Sequence, residues 1–337
     1  MRAVQHRGTG GPEVLEPVEL PDPVPGPGEL LVRVEAVGVN FIDTYRRGGL
    51  YPVPLPHVPG TEGAGTVEAL GDGVAGVYPE LTLGARVTWV DAPSSYASLV
   101  LVRADRAIPV PAGVSSETAA AVALQGLTAH YLVTDTAQVE DGTRCLVHAA
   151  AGGVGLLLVQ LAKARGAEVF ATAGTAQKRE LARAAGADHV VPYVADQAEG
   201  EEGPDGPGFA AAVEALAGPR ALDVVFDGVG RATFEGSLGL LRPRGLMVTF
   251  GNASGPVEPV SPLRLSTAGS LFLTRPTLND YVATREDLLR RGSDVLGAVA
   301  DGALAVRIGA RFPLEEAGAA HRLLESRGTT GKVLLIP

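Results

Sequence analysis

Residues 148 to 155 read HAAAGGVG, and Ala150, Gly152 and Gly155 take the three small positions of a G-x-G-x-x-G-like turn. Small side chains at this spacing permit a tight turn, close approach of backbone to a pyrophosphate, and close packing of the next helix. The chemistry would be phosphate binding. Gly152, Gly153, Val154 and Gly155 open a helix whose N-terminal N–H groups and partial positive charge favour an anion. A glycine cluster alone also marks ordinary turns. Here a strand precedes it and a helical stretch follows, the context a dinucleotide site requires.

A second chemical position lies at the end of the next strand, in VFATAGTAQKRE. An acidic residue there accepts hydrogen bonds from the adenosine ribose 2′-hydroxyl, but no Asp or Glu ends this strand. Gly174 and Thr175 leave space and donors, and Lys178 brings positive charge suited to a 2′-phosphate. NADPH is therefore expected over NADH. The alternative for both Lys178 and Arg179 is the solvated outer face of the following helix, and Arg179 either shares the phosphate role or is only solvated.

These residues need elements to hold them. Strands are expected at Thr143 to His148, Glu168 to Ala171, His189 to Val191, Asp223 to Asp227 and Gly245 to Phe250, with helices between. That alternation predicts βαβ units and a parallel sheet covered on both faces, an α/β fold. The first 120 or so residues differ: short β-branched runs broken by Gly and Pro, as in PDPVPGPGEL, predict small, irregular β structure. The chain is thus expected to divide into residues 1–122, a β domain; 123–264, the nucleotide domain; and 265–337, a return to the first domain through the final KVLLIP strand. Near the C-terminus, Thr284 with Asp287 predicts a helix start and Gly328 a helix stop.

Composition sets limits. A chain of 337 residues exceeds what one hydrophobic core usually serves. Its net charge of −10 and the absence of a basic run argue against nucleic-acid binding. The single cysteine, Cys145, excludes an intrachain disulfide, and the start MRAVQHRGTG carries no apolar signal core, so a cytoplasmic home is expected. Membrane insertion is not expected: the uncharged run Cys145 to Ala162 contains AGGVG and reads better as strand, turn and helix. The acidic segment 198–208 reads as a solvated surface loop.

The segments GPGELLVRVEAVGVNFIDTYRRGGLYP, PGTEGAGTVEALG, QGLTAHYL, HAAAGGVG, GTAQK, FGNASG and TRP, in this order, resemble the medium-chain dehydrogenase/reductases. The likeness is to their zinc-free quinone oxidoreductases, relatives of zeta-crystallin, and runs from about Gly11 to the C-terminal LLIP. It implies a GroES-like β domain plus a Rossmann domain, NADPH as cofactor, a quinone as substrate, and a homodimer formed through the edge of the Rossmann sheet. Zinc-dependent relatives place ligating Cys and His where this chain has Asn40 and Thr61. One cysteine makes neither a Cys-His-Cys nor a four-cysteine site, so no metal is expected. Glu62, beside Thr61, reads as a structural or hydrogen-bonding residue. Without a Lewis acid, the hydride acceptor must be electrophilic already or activated by hydrogen bonds, which suits a quinone or activated alkene.

The resemblance also implies site residues. Asn40 and Tyr45 would meet nicotinamide ribose and substrate, and Tyr51 would donate a hydrogen bond or a proton to the reduced oxygen. Asp43 would orient its neighbours, or simply cap a helix. Thr128 would lie near the nicotinamide, Tyr193 with Lys178 near the adenosine phosphate, and Phe250, Gly251 and Asn252, with Thr274 and Arg327, elsewhere on the cofactor. Tyr45 and Tyr51 are alternatively apolar fillers, Tyr193 a core-edge ring, and Arg327 a helix-ending surface charge. Two other functions compete: an NADPH-dependent reductase of α,β-unsaturated carbonyls or enoyl thioesters, and a non-enzymatic, crystallin-like or RNA-binding role.

Overall fold

Mostly β-branched and aliphatic runs of two to eleven residues become strands, and Gly, Pro and Asp punctuate them. The computed structural model describes residues 1–193 and 208–337. The acidic segment therefore lies outside the described residues, except for Gly208, which opens the helix Gly208–Ala217. In chain order the strands are β1 (Arg2–Gln5), β2 (Glu16–Glu19), β3 (Glu29–Val39), β4 (Gly63–Leu70), β5 (Arg86–Trp89), β6 (Leu99–Arg103) and β7 (Ile108–Pro109). There follow β8 (Arg144–Val147), β9 (Glu168–Thr172), β10 (His189–Val191), β11 (Leu222–Asp227), β12 (Leu241–Thr249) and β13 (Phe272–Thr274), then β14 (Ile308–Pro313) and β15 (Lys332–Ile336). The chain forms two units, Met1–Leu127 with Val282–Pro337, and Thr128–Tyr281. The second crossing comes later than the expected 264/265, because β13 still pairs with β12.

The first unit is a mainly antiparallel sheet in the order β14-β15-β3-β4-β5-β7, with β6 also on β3. As expected, the C-terminal strand rejoins the β domain, Val333 facing Val39. Trp89 and Tyr96 are fully buried in its core. The GAGT run at the head of β4 has its reason here: a β-carbon built at Gly63 would lie 2.6 Å from the Trp89 ring.

The second unit is a six-stranded sheet in the order β10-β9-β8-β11-β12-β13 with every pairing parallel. This is the doubly wound order, and the order reverses between β8 and β11, where such sheets bind ligands at the carboxyl ends of the strands. Cys145, Leu146 and Val147 are fully buried, as a central parallel strand requires. The uncharged run Cys145 to Ala162 resolves into β8, a turn and the helix Gly153–Ala164. No helix among the described residues is long and apolar enough to cross a membrane.

Candidate functional site

In the second unit the turn after β8 is built by one left-handed residue and two hydrogen bonds. Ala149 takes a left-handed φ of 50°, its carbonyl accepts from Gly152 N–H at 2.8 Å, and its own N–H donates to the Tyr193 hydroxyl at 2.8 Å. A β-carbon at Gly155 would lie 2.7 Å from Ala150 Cα, so only glycine lets the helix start this close to the turn. Gly152 is the helix N-cap, with no side chain to satisfy the first-turn N–H groups.

The turn rests on a neutral, buried imidazole. Ser237 donates to Thr233 O (2.7 Å), so its oxygen accepts from His148 Nε2–H (2.9 Å), and His148 Nδ1 accepts from the Thr172 hydroxyl (2.9 Å). Burial holds the His148 pKa below its ordinary value. Tyr193 lies parallel to this ring at 6.1 Å and belongs to the core with Phe209. Its hydroxyl is thus directed at the turn backbone.

At the end of β9, Thr175 caps the helix Ala176–Ala184, its hydroxyl accepting from Lys178 N–H at 3.2 Å. Arg179, left open between binding and solvation, turns back and donates from Nη1 to Gly174 O at 2.6 Å. Lys178 and Arg179 are both half-buried beside Gly174. Beyond β12, Arg275 Nη1 donates to Gly251 O (2.9 Å) and Thr249 Oγ1 (3.2 Å). With its amide nitrogen donating to Gly251 O, Asn252 accepts from Arg275 Nη2 at 3.1 Å. Thr249, Gly251 and Asn252 therefore meet around Arg275, which the sequence offers only as the middle of TRP; Thr274 precedes it in the chain, and Phe250 lies between two of its partners in sequence. Asp227, at the end of β11, accepts from Val229 N–H (2.7 Å), Gly230 N–H (3.0 Å) and the Thr233 hydroxyl (2.9 Å), shaping the loop beside the switch point. Thr128 is buried in the helix Ser116–Tyr131.

In the first unit Asn40 caps the helix Phe41–Arg47 and is almost fully buried. Its amide is read from both sides: Lys332 Nζ donates to Oδ1 at 2.8 Å, while Nδ2 donates to Glu62 Oε1 at 2.6 Å and to Gly38 O at 3.3 Å. Lys332 and Glu62 form an ion pair with 1% and 0% of their side chains exposed, and Glu62 Oε2 accepts from Leu124 N–H at 2.7 Å. Each charge is matched, which buried ions require. Lys332 was missed; its one signal is a cation heading the apolar run VLLI. Thr61, the counterpart of a zinc-ligating histidine, has a buried hydroxyl with no hydrogen-bond partner among the described residues.

Asp43 both caps and orients. Its Oδ2 accepts from Asn40 N–H at 2.9 Å and from the Tyr96 hydroxyl at 3.2 Å, and burial lifts its pKa to about 6 against the pull of Asn40 N–H, Lys332 and Arg46. Tyr45 and Tyr51 pack edge to face with centroids 5.8 Å apart, and Tyr51 is 38% exposed beside exposed Leu50. The pair forms one unit, a half-buried ring supporting an outer ring with its hydroxyl. Arg327 is exposed just past the helix Ala317–Glu325 and takes a left-handed φ of 60°, so it, rather than Gly328, is the residue that turns the chain out of the helix. Gly328 is instead held by its N–H to Ser326 Oγ at 3.2 Å. Among the described residues no three His, Cys, Asp or Glu side chains gather as metal ligands.

Two family models match the chain: "Alcohol dehydrogenase GroES-like domain" over residues 26–141 and "Zinc-binding dehydrogenase" over residues 153–288. The chain is 43% identical over 332 residues to quinone oxidoreductase 1 of Escherichia coli, covering 97% of each chain. It is 37% identical to a 2-haloacrylate reductase of a Burkholderia species, covering 100% of this chain and 99% of that one. Its fold matches the crystal structure of Escherichia coli quinone oxidoreductase complexed with NADPH with a TM-score of 0.93, at 41% identity over the whole of both chains.

Proposed function

The chain belongs to the zinc-free quinone oxidoreductases of the medium-chain dehydrogenase/reductase superfamily, and from that premise we propose how its residues carry the reaction. The protein is an NADPH-dependent quinone reductase. The observation that carries this reading is the end of β9, where Gly174, Thr175, Lys178 and Arg179 stand in place of a carboxylate, next to an uncapped helix N-terminus at Gly152.

The residues fit NADPH. The first-turn N–H groups of the helix Gly153–Ala164 would hold the pyrophosphate, with Tyr193 holding the turn in shape. Lys178 and Arg179 would meet the 2′-phosphate by charge-assisted bonds. Thr128, Thr274, the Phe250 to Asn252 loop braced by Arg275, and Arg327 would complete the site. NADPH supplies the hydride from its nicotinamide C4 when bound. Asn40 would orient the nicotinamide ribose with an amide whose direction Lys332 and Glu62 dictate. Tyr45 would support Tyr51, whose hydroxyl hydrogen-bonds the quinone oxygen as negative charge builds on it. Asp43 keeps the helix carrying these groups in register.

Two finer assignments follow. A homodimer through the β13 edge is supported by Phe272, an edge-strand ring left 61% exposed. A cytoplasmic location is supported by Cys145, the sole cysteine, whose buried thiol is pushed up to about 12 and has no partner for a disulfide.

Steady-state assays test the function: NADPH against NADH, with 1,4-naphthoquinone, a bulky ortho-quinone and a trans-2-enal as acceptors. NADPH with a quinone is expected to give the highest kcat/KM. Preference for NADH would remove the cofactor assignment, and faster turnover of the enal would assign the protein to alkene reduction, the chemistry of its 2-haloacrylate reductase relative. Tight NADPH binding without turnover would mark a non-enzymatic role.

A further inference from the structure

Behind Asn40, starting from Asp43, runs a file of buried polar groups of which Tyr96, His321 and Arg47 have no part in the cofactor and substrate assignments. Asp43 Oδ2 lies 3.2 Å from the Tyr96 hydroxyl, which lies 2.9 Å from His321 Nε2. His321 Nδ1 lies 2.9 Å from Arg47 Nη1, and Arg47 Nη2 meets Glu325 at 2.6 Å where the file reaches the surface. Asp43, Tyr96 and His321 are fully buried and Arg47 is 4% exposed.

The end group dictates the order of protons. A guanidinium only donates, so Arg47 donates into His321 Nδ1. The imidazole proton must then sit on Nε2 and go to the Tyr96 oxygen, which leaves the one phenolic proton for Asp43. The electrostatics agree: burial and then the Arg47 charge hold His321 down to about 3, and burial raises Tyr96 well above its ordinary value. Reversing any link would set two donors or two acceptors face to face.

Asp43 and Arg47 stand four residues apart on one face of the helix Phe41–Arg47, and His321 and Glu325 stand four apart on the helix Ala317–Glu325. Tyr96 and His321 therefore strap the first helix at both of its ends. Seven residues are too few to hold a helix alone. We propose that Tyr96, backed by His321 and Arg47, is a positioning residue for hydride transfer, fixing Asp43 and with it the rotation of the helix that presents Asn40 and Tyr45. This rests on the assignment of Asn40 to the nicotinamide end of NADPH. The charged and titratable groups facing Asp43 are Tyr96, Lys332, Glu62 and Arg46, with His321 and Arg47 acting through Tyr96.

The test combines kinetics with a spectroscopic readout. Tyr96→Phe removes the proton given to Asp43 and keeps the ring. It is expected to lower kcat about tenfold while KM for NADPH changes less than about twofold, since the adenosine end is held by other residues. The acid limb of the kcat profile, set near pH 6 by Asp43, should move to higher pH by about one unit, because the carboxylate loses a hydrogen bond. His321→Gln offers an amide oxygen to Arg47 and an N–H to Tyr96 in the same order, and should recover most of what His321→Leu loses. In the wild type, ¹⁵N-imidazole resonances should show His321 neutral with the proton on Nε2 at pH 5.

A Tyr96→Phe kcat equal to wild type in an active enzyme overturns the inference and leaves the quinone reductase reading standing. So does a kcat loss with no movement of the acid limb and equal losses in His321→Gln and His321→Leu. A His321 that is charged, or protonated on Nδ1, overturns it independently of turnover. A wild-type protein that reduces no quinone with NADPH removes the functional reading itself and the inference with it.

Discussion

Lys178 and Arg179 are neighbours in the chain held in different ways, and the difference decides what each does. Thr175 fixes the backbone of Lys178, while the Arg179 guanidinium is itself tied to Gly174 O, the carbonyl beside the β9 end. Lys178→Ala should raise KM for NADPH about tenfold, the cost of one charge-assisted bond, with little change for NADH. Parallel titrations with both cofactors check this; equal effects would show that Lys178 does not read the phosphate. Arg179→Gln should act in the same direction. Local residues such as these were legible in the sequence because chemistry and spacing coincide within a dozen positions. Lys332 and Asn40 are separated by 292 positions and Tyr96 and His321 by 225. No local pattern signals such a pair, and only the fold brings its members together.

At the scale of elements, the Rossmann strands were legible because each is a short apolar run between a helical stretch and a turn. Thr284 was legible for the same kind of reason: its hydroxyl accepts from Asp287 N–H at 3.1 Å, a side-chain cap written in four consecutive residues. The end of the helix Ala317–Glu325 was misread because glycine is the usual left-handed residue, yet Arg327 takes that conformation here. The turn before the helix Gly153–Ala164 leaves no such latitude. Gly155→Ala would drive a methyl against Ala150 Cα and displace the helix start, so stability should fall by about 1–3 kcal/mol and NADPH affinity should fall with it. Thermal melts and the fluorescence of bound NADPH check both; a stable variant that keeps full affinity would show that the turn yields without consequence.

For the whole molecule, two domains and a returning C-terminus are legible in the sequence, but the nucleotide unit runs past the expected 264/265 boundary to Tyr281. β13 is only three residues long and half-exposed, so it lacks the continuous apolar run that marks β8 or β11. That same short strand carries the outward Phe272. Phe272→Glu should convert a dimer to monomers with the fold intact, which light scattering on a size-exclusion column would show; a wild-type monomer would remove the assignment. The returning strand has a consequence for synthesis. A ribosome delivers Glu62 early and Lys332 only after all of Thr128–Tyr281 has passed, and β15 lies between β14 and β3 rather than at an edge of its sheet. During translation the contiguous nucleotide unit can complete itself first. The unit that began the chain must wait with an unpaired carboxylate and a missing inner strand, so this protein is assembled from its middle outward.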